Sequence, residues 1–205
     1  TICLKKEGNN TKKISVIGSG SFATALAKIL NGNGVELHWC VRNQHIIDHL
    51  QKYGHNPSYL RSATFNVSIL ELRTDMQATI RDTDYIILTI PSAYVEEVLE
   101  ALPKDIFNGK KIISAIKGIL PKRNMLLNDY LKAEFDFDAN DYYTIMGPCH
   151  AEEVASEKLS YLTFTGLNQT TTQWIADQFR NHYINTVTND DVYGVQFAAI
   201  LKNIY

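Results

Sequence analysis

The sequence predicts an α/β fold built on a doubly wound parallel sheet. Three observations carry that expectation. Short apolar runs of strand length recur along the 205 residues and alternate with stretches of helix formers, the rhythm of successive βα units. The run over residues 14–17 breaks into Gly18-Ser-Gly20 and resumes as helix formers over 23–30, so strand, glycine turn and helix follow one another in a single unit. Polar and cationic residues stand just past the ends of several runs, where open α/β sheets collect their ligands.

Residues 14–17 read as a buried parallel strand, because apolar, largely β-branched residues dominate them. Gly18 permits the tight turn, and Gly20 lets backbone approach a pyrophosphate across Ser19. Ala23 occupies the third position of the fingerprint, where a small residue allows helix and strand to pack closely. The pyrophosphate would sit on the N–H groups and positive dipole of the helix that follows. Asn31-Gly-Asn-Gly34 then supplies glycines suited to a left-handed C-cap. The second strand, 35–41, ends at Arg42-Asn43, where an NAD-preferring fingerprint has an acid. Arg42 is suited to stacking on adenine or facing a 2′-phosphate, and equally to simple solvation at a strand end.

Residues 44–52 suit a helix, and 53–63, with Gly54, Asn56 and Pro57, a loop. A third strand over 66–72 and a short helix over 75–81 precede the clearest buried strand, 84–90, which stops at Pro91. Ser92 is positioned to cap the next helix, with Glu96 and Glu97 in its first turns. Another strand, 111–116, ends at Lys117-Gly118. Strand 142–146 runs into Gly147-Pro-Cys-His-Ala151 and a helix over 152–156; strand 161–165, helix 171–181 and strand 184–188 follow. Asn189 or Asp190 can cap a last helix running to Tyr205. The 18–20 turn, Arg42, Pro91-Ser92 and Lys117 all fall at carboxyl ends of strands, and together form a candidate site.

Composition narrows the function. With 45% hydrophobic residues the chain can bury a sizeable core, and its net charge of -2 provides no basic field for nucleic acid. No apolar run reaches the length of a membrane span. Residues 1–13 are polar, with Lys5, Lys6 and Lys12 but no apolar core of a signal peptide, and residues 1–11 suggest a flexible arm. Cys3, Cys40 and Cys149 are odd in number and widely spaced, which fits a reducing, cytoplasmic setting rather than a disulfide framework or a zinc pair. The histidines form no metal-ligand pattern; His45 and His49 share a helix face, expected to be solvated. Cys149 and His150 are adjacent, so their side chains point apart, and Cys149 reads as a small residue lining a site. In the last helix Gln196, Ala199 and Asn203 are spaced by three, four and seven residues, and Lys202 lies beside them. Val195, Ala198 and Leu201 predict that much of this helix is buried, leaving Lys202 either functional or snorkelling to water.

Gly-Ser-Gly-Ser-Phe-Ala-Thr-Ala-Leu-Ala from residue 18, Trp39-Cys-Val-Arg-Asn43, Ile90-Pro-Ser92, Lys117-Gly118, Gly147-Pro-Cys-His-Ala151 and Leu201-Lys-Asn203 occur in that order. Together they resemble the NAD(P)-dependent glycerol-3-phosphate dehydrogenases of the bacterial type, from about residue 12 onward. The resemblance implies a Rossmann-like nucleotide-binding domain over 1–188, and over 189–205 the first helix of an all-α C-terminal substrate domain. It implies reversible reduction of a small phosphorylated substrate, dihydroxyacetone phosphate, to sn-glycerol 3-phosphate with NAD or NADP as cofactor, feeding glycerophospholipid synthesis. Ser21, Phe22, Arg42 and Ala151 are then expected to contact the nucleotide, with Gly18, Ser19, Gly20 and Pro91 beside them. Lys117, Gly147 and Cys149 are expected to hold cofactor or substrate. Lys202 is expected to exchange the proton, Lys117 to act with it, and Asn203 to join the substrate set. A homodimer, with neither nucleic acid nor a membrane span, is compatible with this reading.

The chain departs from the family pattern at several positions. Ala23 stands for the third glycine, Phe22 for a frequent Trp, Cys149 for Ser or Thr, His150 for Phe, and Ala198-Ala199 for paired glycines. A thiol is a weaker hydrogen-bond donor than a hydroxyl. The family continues into its substrate domain, whereas this sequence stops at Tyr205, just inside it. Two other functions share such a nucleotide-binding half: a β-hydroxyacid or ketopantoate-type reductase, and a non-catalytic nucleotide-sensing module.

Overall fold

The computed structural model describes residues 12–147 and 150–202. The expectations for the arm at 1–11, for Cys149 and for Asn203 lie outside the described residues. Eight strands form one sheet: β1 (Ile14–Ile17), β2 (Leu37–Cys40), β3 (Leu70–Arg73), β4 (Tyr85–Leu88), β5 (Lys111–Ser114), β6 (Tyr142–Met146), β7 (Ser160–Gly166) and β8 (Ile184–Asn189), in the order β3-β2-β1-β4-β5-β6-β7-β8. The chain winds outward from β1 in both directions, so the crossover lies between β1 and β4, with Val16 opposite Ile87. An α/β sheet of this kind opens a ligand crevice at the carboxyl ends of the strands on either side of that point.

The helices are α1 (Ser21–Gly32), α2 (Gln44–Tyr53), α3 (Met76–Asp82), α4 (Ser92–Glu100), α5 (Leu127–Phe135), α6 (Ala151–Ala155), α7 (Gln169–Phe179) and α8 (Val192–Lys202). Side chains alternate across the pleat, and the core divides accordingly. On one face Val16, Trp39, Ile87 and Ile113 pack with Leu26, Ile29 and Leu30 of α1 and Ile175 and Phe179 of α7. On the other, Ile17, Ile86, Leu88 and Ile112 meet Ile80, Val95, Leu99, Tyr130 and Leu131. Both faces of the central strands are covered, as a parallel sheet requires.

Several expectations are corrected. The sheet is not wholly parallel: β7 runs antiparallel to β6, and β8 then runs parallel to β7. A parallel neighbour needs a crossover that travels back along the sheet; the five-residue α6 rises only about 7.5 Å. Helix α5 stands where the sequence reading had no element, although Leu127, Tyr130, Leu131 and Phe135 repeat at helical spacing and are its buried residues. Ser92 does not cap α4: Pro91 takes that position, without a side-chain cap. Glu96 is buried and accepts the Lys122 and Arg123 backbone N–H groups at 2.8 and 3.0 Å. At α8 it is Asp191, not Asn189 or Asp190, whose carboxylate accepts the Gly194 N–H, at 2.8 Å.

Candidate functional site

The glycine turn follows from three local constraints. Gly18 has φ +129°, and a Cβ there would lie 2.3 Å from Thr89 Oγ1. The Thr89 hydroxyl donates to the Ile17 carbonyl at 2.6 Å, so the residue just past β4 fills the space that the missing side chain leaves. Gly20 differs. Its φ of -76° is open to any residue, and a Cβ there would meet nothing within 4 Å. That room lies at the N-cap of α1, which has no side-chain cap. The first N–H groups of a helix lack intrahelical acceptors, so turn and helix start form a cradle suited to a phosphate group. Ala23 is buried between α1 and the sheet, where a small side chain permits close packing.

Two cavities adjoin at the strand ends. The larger, about 400 Å³, is lined by Ser21 and Phe22 from α1, the 89–92 segment after β4, residues 115–117 after β5, and 150–152 at the start of α6. The smaller, about 260 Å³, lies between the end of β6, the middle of β7 and helix α8; its lining includes Gly147, Thr163, Ala199 and Lys202. Lys117 lines both. Its ammonium stands 4.3 Å from the Phe22 ring centroid, within the range of a cation–π contact. Gly118 passes close to α4, where a Cβ would lie 2.6 Å from Ser92 Oγ. Gly147 has φ +145°, and a Cβ there would lie 2.5 Å from the Tyr161 carbonyl oxygen; strand β7 leaves this turn no room for a side chain.

The fold therefore brings Ser21, Phe22, Pro91, Lys117 and Ala151 to the larger cavity, and Lys117, Gly147 and Lys202 to the smaller. Gly18, Ser19 and Gly20 lead directly into Ser21. Arg42 is exposed after β2 and lines neither cavity. His150 precedes α6 and lines the larger cavity. The expected burial of α8 is corrected: Val192 and Gln196 are its buried residues, Tyr193, Phe197 and Leu201 are about half exposed, and Lys202 is exposed. Alternating apolar residues therefore do not mark one buried face here. Gln196 anchors the helix by accepting the Tyr142 hydroxyl at 3.0 Å and donating to Asn128 Oδ1 at 3.0 Å.

The face is solvated as expected at His45, Tyr53 is exposed too, and His49 between them is part-buried. It packs against Tyr53 and His55, with ring centroids 4.6 and 4.8 Å away, and more loosely against His45. Desolvation, then the neighbouring His55 and His45, hold its pKa below the usual histidine value. Among the described residues no group of three or more His, Cys, Asp or Glu could hold a metal ion, and no helix is long and apolar enough to cross a membrane. The sequence reading assigned no part in the site to Thr89, Trp39, Thr24 or Asn56, all of which shape the glycine turn. For Thr89 the available signal was a hydroxyl inside an otherwise apolar strand.

Residues 13–172 match the family model for the NAD-dependent glycerol-3-phosphate dehydrogenase N-terminus. The glycerol-3-phosphate dehydrogenase [NAD(P)+] of Bacillus pumilus is 32% identical over 194 residues, covering 94% of this chain and 56% of that protein. A crystal structure of glycerol-3-phosphate dehydrogenase from Coxiella burnetii superposes with a TM-score of 0.84 at 25% identity, over 94% of this chain and 58% of that one. The Plasmodium falciparum enzyme has the same fold, with a TM-score of 0.83 at 24% identity, over 94% of this chain and 56% of that one. The chain spans about half the length of the curated relatives it matches.

Proposed function

Since the chain belongs to the NAD-dependent glycerol-3-phosphate dehydrogenase family, matching its N-terminal model, we propose that it is the nucleotide-binding half of an oxidoreductase interconverting dihydroxyacetone phosphate and sn-glycerol 3-phosphate. NAD or NADP is the cofactor of this reading, and supplies or accepts the hydride when bound. The fit rests on the open space in front of Gly20, beside a helix N-terminus. The 18–20 turn and Ser21 would hold the pyrophosphate, while Phe22, Pro91, Lys117 and Ala151 would border the nicotinamide end and Arg42 the adenosine end.

The observation that carries the proposal is the position of Lys117, shared between the two cavities. A cation there can attract a phosphorylated substrate and stay beside the cofactor site. Ketone reduction develops negative charge on the carbonyl oxygen, and a nearby ammonium stabilises that charge. Lys202, which also lines the smaller cavity, is the proposed proton donor and acceptor. Gly147 supplies backbone beside it; Cys149 and Asn203 complete the proposed substrate set.

The division at residue 188 is part of the same proposal. It is supported by the exposed apolar residues of α8, which suit the start of a helical substrate domain. A cytoplasmic enzyme feeding glycerophospholipid synthesis is the corresponding cellular reading, in keeping with a buried free Cys40. Calorimetry with NADH and NADPH, followed by turnover of dihydroxyacetone phosphate in the full-length protein, tests the function. Binding together with turnover supports it. Turnover of only unphosphorylated keto acids, or binding without any turnover, overturns it.

A further inference from the structure

Three consecutive carbonyls of the glycine turn are each held by a side chain from a different element. The Trp39 indole N–H, on β2, donates to the Gly18 carbonyl at 2.7 Å. The Asn56 amide, from the loop after α2, donates to the Ser19 carbonyl at 3.2 Å. The Thr24 hydroxyl, on α1, donates to the Gly20 carbonyl at 2.8 Å. Asn56 also donates to Thr24 Oγ1 at 2.9 Å, which joins two of the three holders. All three side chains belong to fully buried residues. Asn56 has no donor or acceptor capacity left over, because its oxygen accepts the Ser58 and Tyr59 N–H groups at 2.9 and 3.3 Å.

In a trans peptide the C=O and the following N–H point in opposite directions. Holding the carbonyls of Gly18, Ser19 and Gly20 on the protein side therefore aims the N–H groups of Ser19, Gly20 and Ser21 the other way. We propose that Trp39, Asn56 and Thr24 are positioning residues that pre-aim these three N–H groups at the pyrophosphate of a dinucleotide. The proposal rests on the dinucleotide-binding reading above and assigns a part to residues that touch no ligand. The Gly20 carbonyl also accepts the Thr24 backbone N–H at 2.9 Å, so without the clamp the peptides after Gly18 and Ser19 gain the most freedom to rotate, and binding would have to order them. The arrangement also makes the 54–63 loop part of the phosphate site, although that loop lies 37 residues from Ser19 in sequence.

The test separates aiming from mere packing. Affinities of the intact protein are measured for ADP, which has a pyrophosphate, and for adenosine, which has none. Asn56→Asp keeps the shape but loses both donated hydrogen bonds, Trp39→Phe keeps an aromatic ring but loses the N–H, and Thr24→Val keeps the shape but loses the hydroxyl. Each is expected to weaken ADP by about three- to tenfold and to change adenosine by less than about twofold. Thr24→Ser, which retains the hydroxyl, should restore the ADP affinity. Parallel weakening of both ligands, or unchanged ADP affinity in the folded variants, overturns the clamp. Trp39→Phe and Thr24→Val decide the matter if Asn56→Asp does not fold. A parent protein that binds no ADP overturns the dinucleotide reading and the clamp together, whereas a parent that binds ADP as tightly as its variants overturns the clamp alone.

Discussion

The Lys117 ammonium lies 4.3 Å from the centre of the Phe22 ring, so the residue that follows β5 meets a residue of the first turn of α1 at a cavity both line. The contact places a cation beside the proposed cofactor site. Phe22→Leu removes the π face and is expected to raise KM for the phosphorylated substrate by about two- to fivefold, with kcat little changed. Lys117→Ala removes the charge itself and should both raise KM and slow turnover. Steady-state kinetics in the full-length protein distinguish the two patterns; an unchanged KM in Lys117→Ala would remove Lys117 from the substrate site.

The two glycines of the turn should fail in different ways. Gly18→Ala sets a Cβ against Thr89 Oγ1 at a φ of +129°, and is expected to destabilise the fold by about 1–3 kcal/mol. Gly20→Val faces open space at an ordinary φ, so stability should stay within about 1 kcal/mol while NADH binding is lost. Thermal melts alongside calorimetry provide both readings. A Gly20→Val protein that is folded and still binds NADH normally would sink the phosphate assignment.

Arg42 bears on cofactor choice. It is exposed at the end of β2, where no acid occupies the ribose position, so NADPH should bind at least comparably with NADH. Arg42→Ala is expected to weaken NADPH more than NADH, as measured by the two dissociation constants. Equal losses would show that the side chain stacks without meeting a 2′-phosphate.

Lys202 lines the smaller cavity together with Lys117. Lys202→Ala in the full-length protein should lower kcat by about two to four decades and leave NADH affinity nearly intact. A variant that keeps most of its kcat would move the proton-exchange role elsewhere.

Burial pushes the Cys40 thiol up to about 11, so at neutral pH the native protein holds it as an unreactive thiol. Alkylation followed by peptide mass analysis should find Cys40 unmodified in the native state and modified after unfolding. Above the ordinary thiol pKa the unfolded chain releases a proton that the native chain retains. Cys40 therefore lowers stability as pH rises from about 9 towards about 11. Rapid native-state alkylation at pH 8 would contradict the burial.

Much of the architecture was legible because it is encoded locally. Val16 and Ile17 lie in an apolar run that can only be satisfied between two covered faces, and Gly18-Ser-Gly20 announces a turn through its own backbone freedom. Lys117 could be recognised at a strand end from its immediate neighbours. The direction of β7 was not legible, because it depends on how far α6 carries the chain rather than on the composition of the strand. The exposure of α8 was not legible either: Val195, Ala198 and Leu201 are as apolar as core residues, and only the surrounding packing decides which of them is covered. Thr89 beneath Gly18, and Trp39 and Asn56 behind the turn's carbonyls, belong to the same class. Their hydrogen bonds join residues 21 to 72 positions apart. Pattern and propensity act over a few residues, whereas these contacts exist only once strand register and loop packing have brought distant donors within hydrogen-bonding distance.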